Sequence, residues 1–208
     1  MSKYKADDVI ERFQHVGSAL YRRGLQNSHS GNLSVKVGDR LLITRRGSQL
    51  GFLEDEDIVE TGLENDDSGI ALASSEVGVH RAIYNNTNAL AVVHSHQIAA
   101  TALTFLQDEI IPIDVEAGYI LRKVPVVDVE EGSGSKEMEE KIPQALKDYQ
   151  IMMLKGHGSF AIGDHLEEAW HYTETLQNAA RIISMVKMMG GDIDELEEKA
   201  GDLPDGFD

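Results

Sequence analysis

Ala91-Val92-Val93-His94-Ser95-His96 is the stretch on which the reading of this chain turns. Leu90 to Val93 is short, apolar and rich in branched residues, the pattern of a buried strand, and side chains two apart on a strand share a face. His94 and His96 can therefore reach one ion. A third imidazole stands in Leu154-Lys155-Gly156-His157-Gly158 and a carboxylate in Ala73-Ser74-Ser75-Glu76. Three neutral imidazoles and one carboxylate suit Zn²⁺, with Co²⁺, Mn²⁺ or Fe²⁺ as alternatives, and there is no Cys to supply a thiolate. His-x-His is also a common pair on an ordinary strand, so its meaning depends on what surrounds it.

Upstream, Val9, Ile10, Phe13, Val16, Gly17 and Leu20 repeat at helical spacing and stop before Gly24, which predicts an amphipathic helix. Ser28 to Asn32 is turn-rich. Leu33 to Val37 and Arg40 to Thr44 flank Gly38-Asp39 as a hairpin, and Asp57 to Glu60 is a further strand candidate. Val79, Ala82 and Ile83 share a helical face that begins at Ser74-Ser75, both N-cap candidates. Downstream of His96, helices are expected at about residues 98–105, 116–121 and 135–147, with a strand over 124–129. Ile151 to Leu154 and Ser159 to Ile162 form a second hairpin whose turn holds His157. A long helix capped by Asp164, with Glu167 in capping-box position, buries Leu166, Trp170, Thr173, Leu176, Ala180 and Ile183. Hairpins mixed with helices make an α/β (α+β) layered domain.

The chain has 208 residues, which is enough for one sizeable core, with 41% hydrophobic and 26% charged residues as in an ordinary soluble protein. A formal charge of −17 argues against nucleic acid or an anionic membrane surface as partner. No apolar run spans a bilayer, and Met1 to Asp8 has no signal-peptide core, so a cytoplasmic location is expected. The acidity is concentrated at the end: Asp192 to Asp208 holds eight carboxylates against Lys199 alone. One domain over residues 1–190 is expected, followed by an acidic, partly disordered tail over 191–208, with Leu203 to Phe207 as a turn. Folding of that tail over a site is the alternative.

Taken in order, Ser30-Gly31-Asn32-Leu33-Ser34, Leu42-Ile43-Thr44-Arg45-Arg46-Gly47, Ala73 to Glu76, Ala91 to His96 and Lys155 to Gly158 resemble the class II aldolase/adducin-head family over about residues 8–188. The resemblance implies a three-layer αβα sandwich around a large central sheet, mixed and mostly antiparallel. It also implies a homotetramer with sites between neighbouring subunits. By motif, His94, His96, His157 and Glu76 are the metal ligands, and Glu76 acts as acid/base once substrate displaces it. Gly31, Asn32, Thr44, Gly47, Ser74 and Ser75 hold a substrate phosphate. The implied reaction is zinc-dependent cleavage of a fuculose-1-phosphate-like ketose phosphate to dihydroxyacetone phosphate and a small aldehyde. A raised pKa is expected to fit Glu76 for its proton transfers.

The chain departs from such aldolases in three places. Arg45-Arg46 stand where Pro-Thr is common, adding fixed positive charge. The tyrosine offered by the neighbouring subunit falls on Glu116, with Tyr119 one helical turn later, so these two are the candidate proton donors. A C-terminal tyrosine has no counterpart beyond Phe207. The same scaffold hosts sugar-phosphate epimerases, a dehydratase and decarboxylases of phosphorylated sugar acids. It also serves adducin heads as a non-catalytic binding module, for which loss of the metal ligands is the expected mark.

Overall fold

A computed structural model describes residues 6–201 of the chain. Its centre is an eight-stranded sheet in the order β3-β2-β1-β4-β8-β7-β6-β5. The strands are β1 (Asn32–Val37), β2 (Arg40–Thr44), β3 (Ile58–Gly62), β4 (Ala91–Ser95), β5 (Glu109–Ile110), β6 (Val124–Val127), β7 (Ile151–Leu154) and β8 (Gly158–Gly163). Pairing is antiparallel except between β6 and β7. This is the mixed, mostly antiparallel sheet expected.

The centre of the sheet is apolar on both faces because both are covered. Leu33, Val35, Ala91, Val93, Met153 and Ala161 point into one layer, built from α1 (Ala6–Arg22), α3 (Ile98–Leu103), α4 (Val115–Leu121), α6 (Leu166–Met188) and α7 (Ile193–Gly201). Leu41, Ile43, Val92, Met152, Leu154 and Phe160 point the other way, against α2 (Val77–Asn86) and α5 (Lys136–Ala145). β4 lies between β1 and β8 with all five residues buried. Its register places His94 opposite Asn32 on one side and Phe160 on the other. The side chain at 94 therefore shares the α2 face with Val92, as the strand period requires.

Several boundaries differ from the expectation, each for a local reason. α2 starts at Val77 with Glu76 in the N-cap position, directly after the two expected cap candidates Ser74 and Ser75; Ser74 Oγ accepts the Glu76 N–H at 3.3 Å. α6 is capped by His165, whose Nδ1 accepts the Glu168 N–H, while Glu168 reaches back to the Asp164 N–H. The cap forms one residue later than predicted, and Glu168 binds the N–H before the cap instead of closing a reciprocal box with it. Trp170 is half-buried, edge-on to His15. β5, too short to show a period, pairs with β6. Of the acidic segment, Ile193 to Gly201 is helical, with Ile193 buried against the α6 layer. The turn expected at Leu203 to Phe207 lies outside the described residues. Beside β3, a single turn at Ser68–Ala71 packs so closely that a Cβ on Gly69 would lie 2.1 Å from the Glu60 carbonyl oxygen.

Candidate metal centre and substrate cleft

His94, at the end of β4, is 1% exposed and stacks on Phe160 with ring centroids 4.1 Å apart. Its Nδ1 lies 2.8 Å from the Ser159 carbonyl oxygen on β8, an acceptor only, so Nδ1 carries the proton and Nε2 faces the cleft. His96 follows the strand end, where its N–H binds the Leu25 carbonyl, and its Nε2 comes within 3.0 Å of His94 Nε2. His157 stands in the β7–β8 turn, next to Gly156 at φ +68°. Ring nitrogens of the three histidines all lie within 4.8 Å of one another. Burial lowers His96 to about 3 and His157 to about 4, so both imidazoles offer lone pairs at neutral pH. Glu76 Oε2 is 3.3 Å from His94 Nε2. Nitrogen and oxygen donors converging at this spacing fit a divalent transition ion, and His94 already has the backbone hydrogen bond that fixes the tautomer of a metal-binding histidine.

Glu76 is 3% exposed, yet its pKa falls to about 2, opposite to the rise expected from the sequence. Burial acts to raise it. The coulombic influence of the adjacent His94 and hydrogen bonds to the ionised form outweigh that effect: Ser133 Oγ donates to Oε1 at 2.6 Å and Asn32 Nδ2 to Oε2 at 2.8 Å. Ser133 was not singled out from sequence. Its only signal there is a serine between Gly132 and Gly134, in the connection from β6 to α5.

A cleft of about 170 Å³ runs from these groups to a polar end. Gly31, Asn32, Gly47, Ser74 and Ser75 line it, as do His29, Ser30, Arg45, Arg46 and Ser48. Glu76, His96, His157 and Ser133 complete the lining, with Asn32 and Glu76 in direct contact. Thr44 does not line it. Its hydroxyl accepts the Leu33 N–H at 3.1 Å and the residue is 1% exposed, so it ties β2 to β1 while the two arginines after it face the cleft. Glu116 and Tyr119 lie on α4 in the other layer and do not line the cleft within this chain. His80, one turn beyond Glu76, bonds Asn32 and Ser34 and is not part of the imidazole cluster.

Gly31 has φ +75°, and a Cβ there would lie 1.9 Å from Gln26 Nε2, which donates to the His94 carbonyl oxygen at 2.9 Å. Gly31→Ala is expected to cost about 1–3 kcal/mol and to loosen the end of β4. Denaturant unfolding checks the first effect and metal retention after gel filtration the second.

Residues 11–184 match the model of the family described as Class II Aldolase and Adducin N-terminal domain. The L-fuculose phosphate aldolase of Methanocaldococcus jannaschii is 32% identical over 173 residues, covering 83% of this chain and 93% of that protein. A 3-oxo-tetronate 4-phosphate decarboxylase of Escherichia coli is 31% identical over 180 residues, covering 83% and 84%. Among solved structures, the l-fuculose-1-phosphate aldolase of Thermus thermophilus superposes with a TM-score of 0.83 at 34% identity, covering 88% of this chain and 95% of that one. A sheet of this order, a tris-imidazole cluster with a carboxylate beside it, and relatives of similar length together place the chain in the class II aldolase/adducin family.

Proposed function

We propose that this protein is a zinc-dependent aldehyde-lyase that cleaves a fuculose-1-phosphate-like ketose phosphate to dihydroxyacetone phosphate and a small aldehyde. The observation that carries this reading is Glu76, held ionised between the imidazole cluster and the polar end of a cleft sized for a small molecule. In this reading His94, His96, His157 and Glu76 hold the ion, with Co²⁺, Mn²⁺ or Fe²⁺ as alternatives to Zn²⁺. When bound, it supplies Lewis-acid polarisation of the substrate carbonyl. Gly31, Gly47, Asn32, Ser74 and Ser75 receive the phosphate, Gly31 and Gly47 by leaving backbone open to it. Ionised Glu76 accepts a proton and returns it on the other side of the bond change. Glu116 and Tyr119 act from the neighbouring subunit of a homotetramer. Exposed apolar side chains such as Ile98, Phe105 and Val115 support burial of the α3 and α4 surface between copies. No helix among the described residues is long and apolar enough to cross a membrane, and a cytoplasmic site of action is part of the proposal.

Incubating Zn²⁺-loaded protein with fuculose, rhamnulose and ribulose 1-phosphates, beside a chelated control, tests the reading. Metal-dependent release of dihydroxyacetone phosphate is expected. No release from metal-loaded protein overturns the aldolase assignment.

One observation favours a second reading, decarboxylation of a phosphorylated keto sugar acid. Arg45 and Arg46 line the cleft, and neither is paired with a carboxylate among the described residues, in a chain with 36 acidic groups. Two unengaged guanidinium groups suit a substrate with a carboxylate as well as a phosphate. If that is the substrate, Arg46→Ala is expected to lower kcat/KM for the sugar acid by roughly 10–100-fold, with a smaller loss on neutral ketose phosphates. Parallel assays of carbon dioxide and triose phosphate release separate the two readings.

A further inference from the structure

Glu76, His80 and Tyr84 are spaced by four along α2, and Asn32 and Ser34 by two along β1. Four helical residues rise about 6 Å and two strand residues about 6.8 Å, so the two series stay in step where the helix lies on the strand. The five side chains join into one chain. Tyr84 OH lies 2.7 Å from Ser34 Oγ, Ser34 Oγ lies 2.6 Å from His80 Nδ1, His80 Nε2 meets Asn32 Oδ1, and Asn32 Nδ2 lies 2.8 Å from Glu76 Oε2. Exposure along it runs from 0% at Ser34 and His80 to 6% at Asn32.

Donor and acceptor chemistry gives this chain one direction. Asn32 turns its amide nitrogen to Glu76 Oε2, and its Oδ1, which can only accept, faces His80. His80 must then donate from Nε2. Burial keeps the ring neutral, so Nδ1 accepts the Ser34 hydroxyl proton, and Ser34 in turn accepts from Tyr84. Every proton points towards Glu76. Buried polar groups are costly unless satisfied, and the apolar side chains of the surrounding layer, Val79, Ile83 and Phe160 among them, offer no substitute partners.

We propose that Tyr84, Ser34 and His80 are positioning residues: a one-way hydrogen-bond chain that fixes the Asn32 amide and, through it, the Glu76 carboxylate beside the imidazole cluster. Asn32 also lines the cleft, so the device holds the proton-transfer group and one edge of the substrate site as a single rigid unit. The kinetic consequence rests on the reading of Glu76 as the acid/base group; the hydrogen-bond direction does not.

Nitrogen-15 NMR of the histidine rings in the Zn²⁺-loaded full chain tests the direction. His80 is expected as the neutral Nε2–H tautomer, and Ser34→Ala is expected to move the Asn32 side-chain amide signals. A Nδ1–H or protonated His80 ring overturns the proposal. Kinetics test the role: Ser34→Ala, which cuts the chain in the middle, should lower kcat on the order of tenfold, and Tyr84→Phe, which removes only its far end, by about threefold. Bound zinc per chain should stay unchanged in both, and any rise in KM through Asn32 should be smaller than the fall in kcat. Losses that follow thermal stability instead of position along the chain, or that come with loss of zinc, overturn the positioning role. If wild-type protein turns over no sugar phosphate, the functional reading fails, while the tautomer and the Asn32 signals still decide this one.

Discussion

Glu76→Gln is expected to lower turnover by about 10²–10⁴-fold while the protein keeps its ion and its affinity for phosphorylated ligands. The substitution preserves shape, but an amide can neither take nor return the proton. It also leaves one oxygen where Glu76 uses two, Oε1 for Ser133 and Oε2 for Asn32, so either Ser133 or Asn32 loses its acceptor. Steady-state kinetics with metal analysis of the same sample is the check. Turnover within about threefold of wild type would remove Glu76 from the chemistry. A fall in bound metal matching the fall in rate would make it a ligand alone.

His157→Ala is expected to abolish activity through loss of the ion. The remaining donors would be two adjacent imidazoles and a carboxylate already engaged by Ser133 and Asn32. Loss of an outer partner of a metal ligand costs about 10–100-fold in affinity, and loss of a direct ligand should exceed that. Elemental analysis after gel filtration should find little metal, and dialysis of wild type against a chelator should reproduce the inactivity, reversibly on adding the ion back. The fold should survive, because His157 sits in a turn and the turn bond comes from its backbone N–H to the Leu154 carbonyl oxygen. A variant with full metal occupancy would exclude His157 from the ligand set.

The elements were legible where period and punctuation agree. Leu33 to Val37, Gly38-Asp39 and Arg40 to Thr44 form the expected hairpin, and the apolar run before His94 is the central strand. The convergence of His94, His96 and His157 followed from strand period and motif order, and the structure brings their ring nitrogens together. Four features were not legible, and each depends on a tertiary contact that the residue pattern around it does not display. Ser133 reaches Glu76 across 57 positions. The direction of the Glu76 pKa shift depends on that hydroxyl and on the Asn32 amide, which with His94 outweigh the burial a local reading emphasises. Thr44 faces away from the cleft because a backbone N–H on β1 claims its hydroxyl. α7 was hidden by its charge: Ile193 and Leu196 are too few to mark a helix until α6 gives them a surface to cover.

The order of the sheet also bears on how the protein behaves in concentrated solution. An open sheet offers two rows of unpaired backbone groups, templates on which another chain could grow into a fibril. Here β5 offers two residues, with Pro112 close behind, so there is little to pair with. At the other end β3 is longer, but the Ser68–Ala71 turn lies against it with no room for a side chain at Gly69, and Glu60 is held by Arg40. Gly69 thus acts against self-assembly, and a bulkier residue there would uncover the edge before it touched the cleft.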